Sequence, residues 1–260
     1  MGWWPLKLNA TDLAAAADIQ ERTAQRCIHV LDGGIYETYH VAPTRQLAHQ
    51  VEADECYQSA GSKGLPREVE RHDRAPRQRG LQLRGRATAE LGRPPLLGLV
   101  QRRDKADPHA PAAQVYLEVL ENVRTATIKP IIAAKVKAGA QFFTDEYNIY
   151  HFTEVNYDHR TVNHSAGEYA RRDPDGTCVH CNTMEGIWSG LRNFLDHFRG
   201  ISQRFLHLRV ARYEFLHNHG HLPWHQTFEV ALRRLFSTTG DYWRWMAHQH
   251  RRMPLTLCYR

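Results

Sequence analysis

Between Gln50 and His164 the apolar residues change their spacing in a fixed order, and that order limits the possible folds more than any other feature. QVEADECY (50–57), PLLGLVQRR (95–103) and AAQVYLEVLENV (112–123) read as strands, the last two joined as a hairpin through the DKADPHAP turn. TATIKPIIAAKVKAG (125–139) reads as a helix closed by Gly139, with Pro130 tolerable in a first turn and kinking if the helix starts earlier. AQFFTD (140–145) reads as a short buried strand, NIYHFTEV (148–155) as a short helix and HRTVNH (159–164) as another strand. Helices are expected over 180–195, near 202–217 and near 225–237. A three-strand antiparallel meander followed by alternating helix and strand predicts a mixed α/β sheet with helices on both faces.

The helix HCNTMEGIWSGLRNFL (180–195) carries Met184, Ile187, Trp188, Leu191 and Leu195 at helical spacing, a stripe that belongs in a core. Glu185 lies beside that stripe, and Arg192 follows seven residues later on the same face. Asp54 lies in the first strand and Asp145 closes the fourth. Each of these acids is flanked by apolar residues, so each stands at the edge of a core element. Burying a carboxylate unpaired is costly, and three converging carboxylates repel one another. A divalent cation resolves the conflict: Mg²⁺ takes oxygen ligands and keeps waters, and two such ions support phosphoryl transfer. Proteins carry many acids at strand ends, so from spacing alone three unrelated element ends are the plainer reading of the same acids.

NATDLAAAADIQERTAQRCIHVL (9–31) reads as two helices. Thr11 is the expected N-cap, Asp18 and Ile19 break the Ala-rich run, and a second helix spans about Gln20 to Val30. This is either a helix-turn-helix exposing Arg22, Gln25, Arg26 and His29, or an ordinary helical hairpin. Residues 58–95 form a basic insertion that includes Arg77, Arg79, Arg84 and Arg86, read as a solvated segment or a phosphate-binding arm. The formal charge of +6 and a pI near 9.1 favour a polyanionic partner. No apolar run is long enough for a membrane span, and MGWWPLKLNA lacks a signal-peptide pattern, so an intracellular protein is expected. The five cysteines fit reduced thiols; Cys178 and Cys181 form a CxxC without a second pair, so zinc is not expected. His217, His219, His221 and His225 read as an exposed helix end and turn.

VEADECY, FFTDEYNIY, VNHSAGEYAR and HCNTMEGIWSGLRNFL, in this order, resemble the motif blocks of bacterial insertion-sequence transposases of the fifteen-ninety-five family, with an ISXO-two-like domain. The likeness covers about residues 50–205. It implies a ribonuclease H-like, retroviral-integrase-like fold over 46–237, preceded by a helix-turn-helix DNA-binding segment over 1–45 and followed by a tail over 238–260. It also implies a DDE-type site in which Asp54 and Asp145 match the first two catalytic acids. Glu185 is favoured as the third metal ligand, with Asn182 either a participant or a helix cap. Arg192 stands where the family has lysine and would contact DNA phosphate. His164, in a family block, would position DNA or support the metal site, or else belong to a strand-end turn. The implied activity is DNA cleavage and 3′-hydroxyl strand transfer with Mg²⁺ or Mn²⁺. The partners are terminal inverted repeats and target DNA, the state a homodimer on paired ends, and the place the bacterial cytoplasm at the nucleoid. A zinc ribbon, frequent before the helix-turn-helix in this family, is not found here. An inactive DNA-binding remnant is therefore one alternative, and a nuclease of the same fold another.

Overall fold

β1 (Gln50–Tyr57), β2 (Pro95–Gln101) and β3 (Gln114–Val119) form the expected antiparallel meander, and β4 (Gln141–Asp145) and β5 (Asp158–Val162) extend it beyond β1. The strand order is β3-β2-β1-β4-β5, with β4 parallel to both β1 and β5. This computed structural model describes residues 9–41, 46–61, 93–103, 113–198 and 200–237, with Tyr39, Val41 and Ser237 described by backbone alone. Most of the basic insertion, including Arg77, Arg79, Arg84 and Arg86, lies outside the described residues, as does the tail over 238–260.

The chain order of helices is α1 (Ala10–Ala17), α2 (Glu21–Tyr36), α3 (Thr125–Lys135), α4 (Asn182–Asp196), α5 (Gln203–Asn218) and α6 (Trp224–Ser237). Parallel strands need crossovers. Here α3 carries the chain from β3 to β4, and a 3₁₀ helix, Asn148–Val155, carries it from β4 to β5. Alternation along each strand divides the core between two faces. Val51, Ala53, Leu97 and Leu99 meet Ile128 and Ile132 of α3 with Ile149 and Tyr150. Cys56, Leu96 and Val100 meet Met184, Trp188 and Leu191 of α4, with Leu208 and Phe215 of α5 and Ile35 of α2. Gly98 makes the close approach of α4 possible: a Cβ there would stand 2.6 Å from Trp188 Cζ2. Gly98 is also the β2 partner of Asp54.

β3 is an edge strand, and its free edge is covered by α5. Asn218 Oδ1 accepts from the Val115 N–H at 2.8 Å, and its Nδ2 donates to the Val115 carbonyl at 2.8 Å. Glu214 accepts from the Leu117 N–H at 3.0 Å. Side chains of one helix thus satisfy the groups a further strand would take.

Several local expectations are corrected. Asn9, not Thr11, caps α1, accepting from the Asp12 N–H at 2.9 Å. Asp18 does take the glycine-like position of the turn, with φ of 51°. α2 continues past Val30 to Tyr36, because its second half is core: Asp32 to Tyr36 are buried, while Arg22, Gln25 and Arg26 are exposed. His29 is therefore buried rather than exposed, stacked 4.3 Å from the Phe205 ring beside Ile28 on the packed face. α3 ends at Lys135 and not at Gly139, since Val136 leaves the helix to bridge Leu47. Gly139, with φ of 81°, makes the turn into β4. The short hairpin of β6 (Ala170–Arg172) and β7 (Cys178–His180) was not expected. Arg160 of β5 holds its turn, 3.0 Å from Asp173 and 2.7 Å from Asp175.

Candidate active site

Asp54 and Asp145 are brought together by strand register. Glu52 of β1 pairs with Phe143 of the parallel β4, so two residues further along, Asp54 and Asp145 come level at the same ends of neighbouring strands. Both are half-buried. Asp54 Oδ1 accepts from the Glu55 N–H at 2.8 Å, and Oδ2 accepts from the Trp188 indole N–H at 2.9 Å. Asp145 Oδ1 accepts from the Tyr147 N–H at 3.1 Å.

Glu185 lies in the first turn of α4, exposed, one turn before Trp188. Its charge reaches Asp54. Burial raises the Asp54 carboxyl to about 6; the Trp188 and Glu55 donors oppose that rise, and the charges of Asp145 and Glu185 add to it. Arg192, also exposed, lies on the same side of α4, close enough that its charge opposes the burial that pushes the Cys56 thiol up to about 12.

The donor set is all carboxylate oxygen, which suits a hard divalent cation such as Mg²⁺ or Mn²⁺. Among the described residues no three His, Cys, Asp or Glu side chains are gathered closely enough to hold a metal ion. Asp54, Asp145 and Glu185 are the residues that could hold one, through mutual repulsion that a cation would relieve.

The other expected residues fall into place unevenly. Asn182 is the first residue of α4 and exposed; the N-cap is Cys181, and it makes no side-chain cap bond. The Met184 N–H of that first turn instead donates to Glu52 at 2.9 Å. His164 belongs to a turn over 163–168, its ring 5.3 Å from that of Tyr169. That turn is clasped by Glu146, which accepts from the His164 N–H at 2.8 Å, the Ser165 N–H at 3.0 Å and the Ser165 hydroxyl. Gly167, with φ of 77°, closes it. Arg22, Gln25 and Arg26 are exposed on α2, away from the three acids in sequence and on a different element. His217 and His219 are half-buried against Tyr213 and Phe215 rather than exposed.

Three residues beside the acids escaped sequence reasoning: Glu52, Arg102 and the polar end of Trp188. A signal existed for the first, since Glu52 alternates onto the face of Asp54. Nothing in the sequence marks the other two.

Comparison with known proteins gives the context. The model of the ISXO2-like transposase domain matches residues 46–218. An uncharacterized transposase-like protein of Haemophilus influenzae is 28% identical over 110 residues, which are 42% of this chain and 85% of the relative. No solved structure matches significantly. Among the described residues no helix is long and apolar enough to cross a membrane. The family match spans well over half of the chain, from just before β1 to the end of α5, and so takes in the sheet and all three acids: the chain belongs to the family of the ISXO2-like transposase domain.

Proposed function

We propose that the chain is a DDE-type transposase that cuts DNA at insertion-sequence ends and joins the freed 3′-hydroxyl to target DNA. The observation that carries this reading is the strand register that brings Asp54 and Asp145 level on neighbouring parallel strands, with Glu185 in the first turn of the helix packed on that face of the sheet. These three residues would hold Mg²⁺ or Mn²⁺, as a pair of ions. Bound there, the ions would neutralise phosphate charge and activate water or a hydroxyl. The first reaction hydrolyses the phosphodiester at the end of the element. The second is in-line attack of the 3′-hydroxyl on target DNA, with no covalent protein–DNA intermediate. Glu185 rather than Asn182 would serve as the third ligand, because a carboxylate supplies the anionic oxygen that a hard divalent cation takes. Arg192, on the same side of α4, would hold backbone phosphate near the cut, and Arg22, Gln25 and Arg26 would contact the terminal repeats. His164 supports the site through its turn. The working state is a homodimer on paired ends, at the nucleoid.

The test is strand transfer from pre-cut terminal-repeat DNA with Mn²⁺. Product is expected from the native chain, with a loss of about 10³-fold or more in Asp54→Asn, Asp145→Asn and Glu185→Gln, and little change in Asn182→Ala. DNA binding without product would mark an inactive remnant. Preference for RNA–DNA hybrid over terminal repeats would mark a nuclease.

A further inference from the structure

We propose that Glu52 is the positioning residue of this site: its buried carboxylate, paired with Arg102, fixes where Asp54, Asp145 and Glu185 stand relative to one another. The inference rests on the transposase reading, since it concerns the residues assigned there to the metal.

Glu52 is fully buried on β1. Its Oε1 accepts from Arg102 Nε at 2.6 Å and from the Thr183 hydroxyl at 2.7 Å, and its Oε2 accepts from the Met184 N–H at 2.9 Å. Arg102, just beyond β2, donates in turn to the carbonyls of Cys178 at 2.7 Å and His180 at 2.6 Å. Its guanidinium lies 4.1 Å from the centre of the Phe143 ring. One ion pair therefore grips β1, the end of β2, β4, β7 and the first turn of α4.

Each acid stands two residues beyond a residue this pair holds. Asp54 follows Glu52 on the same face of β1, Asp145 follows Phe143 on the same face of β4, and Glu185 follows Thr183 in α4. A helix whose own N-cap side chain is idle leaves first-turn N–H groups open. A cap from within the helix would satisfy the Met184 N–H without fixing α4 to anything. A carboxylate from β1 satisfies it, complements the helix dipole, and ties Glu185 to the strand of Asp54. Stability does not explain the pair: apolar replacements of buried ion pairs are often neutral or stabilising, whereas supporting contacts around metal ligands govern affinity.

The test is Mn²⁺ titration of the full chain, followed by electron paramagnetic resonance, with thermal melts run alongside. The native chain is expected to bind Mn²⁺, and Asp54→Asn to abolish that binding. Glu52→Gln keeps the shape and removes the charge; it should weaken Mn²⁺ about tenfold while the chain stays folded. Thr183→Val removes one donor and should weaken it about fivefold. Ile132→Ala, a cavity on the opposite face of the sheet, lowers the melting temperature and should leave Mn²⁺ affinity unchanged. Native affinity in folded Glu52→Gln overturns the proposal. If that variant does not fold, native affinity in Thr183→Val overturns it. Absence of Asp54-dependent Mn²⁺ binding in the native chain is a different result, which overturns the metal-site reading and this inference with it.

Discussion

Asp54 carries opposing demands in a single side chain. Burial raises its carboxyl to about 6, and the indole N–H of Trp188, 2.9 Å from Oδ2, is the strongest group working the other way. A carboxyl raised in the folded chain contributes stability in its protonated form, present below its unfolded value and lost as pH rises through about 6. Trp188→Phe keeps the ring that packs over Gly98 and deletes the donor. The proton should then bind Asp54 roughly tenfold more tightly, with a midpoint above that of the native chain. Carbon-13 titration of the carboxyl in metal-free protein measures this, and an unmoved midpoint would show that the indole does not hold Asp54. Trp188 also shows what a sequence yields at this scale. Its helical spacing marks it as core, correctly, since Ile187, Trp188 and Leu191 are buried. Its bond to Asp54 depends on strand register and on the absence of a side chain at Gly98, and neither is visible within the helix. Glu52 and Asp54 share one alternation, but only the contacts of Arg102 and Thr183 separate the positioning carboxylate from the candidate ligand.

Elements were legible where apolar spacing repeats over enough residues to set a period. β1, β2 and the helix over 182–196 follow their patterns closely. β6 and β7 have three residues each, and the former is Ala-Arg-Arg, too short and too charged to show alternation. They are held by ion pairs of Arg160 and Arg171 and by the single buried Val179, which packs with Phe143 and Val162. The end of α3 was hidden because Val136 is claimed by Leu47, nearly ninety positions earlier in the chain. The turn over 163–168 is a similar case, ordered by a clasp from Glu146 at the end of β4. The bond from the Ser165 hydroxyl is the chief cause that lowers the Glu146 carboxyl to about 2, so what the clasp contributes is fully present above the ordinary value of 4.5 and is lost as pH falls through about 2. Glu146→Ala should therefore free the His164 and Ser165 N–H groups and speed their hydrogen exchange about tenfold at neutral pH, leaving β1 and β2 amides unchanged. Equal protection in the variant would place the order of this turn elsewhere.

At the scale of the molecule, two buried charge clusters join α2 and the residues just beyond it to β3 and α5. His40, just beyond α2, donates through Nδ1 to Glu118 of β3 at 2.9 Å, and its Nε2 lies 3.4 Å from Glu214 of α5. Burial alone would lower the His40 pKa, but the two carboxylates outweigh it and raise it to about 9. Tyr116 donates to Glu118 at 2.7 Å, and the Lys135 ammonium lies 4.6 Å from the Tyr116 ring, so these groups share the site. A raised histidine contributes stability fully present below about 6.5 and lost as pH rises through about 9. The melting temperature should fall by roughly 5 °C between those limits, and His40→Gln should flatten the fall. The second cluster sets Asp32 of α2 against Arg209 and Arg212 of α5, with Arg212 Nη2 at 2.6 Å. The inner half of α2 is thereby part of the core that carries the three acids, while Arg22 and Arg26 stay exposed on its outer half. DNA held by that outer half would meet the face of the candidate site in an orientation set by the packing of α2 on α5. If both arginines neutralise phosphates of the terminal repeat, the double variant Arg22→Ala/Arg26→Ala should bind more weakly at low salt. The slope of log affinity against log salt should also become shallower by about 1.8, from about 0.9 for each lost contact. Gln25→Ala would change discrimination between repeat and random DNA and leave the slope alone, since an amide reads base edges and carries no charge. An unchanged slope in the double variant would move the phosphate contacts off α2, and the first two helices would then be a hairpin that serves the core alone.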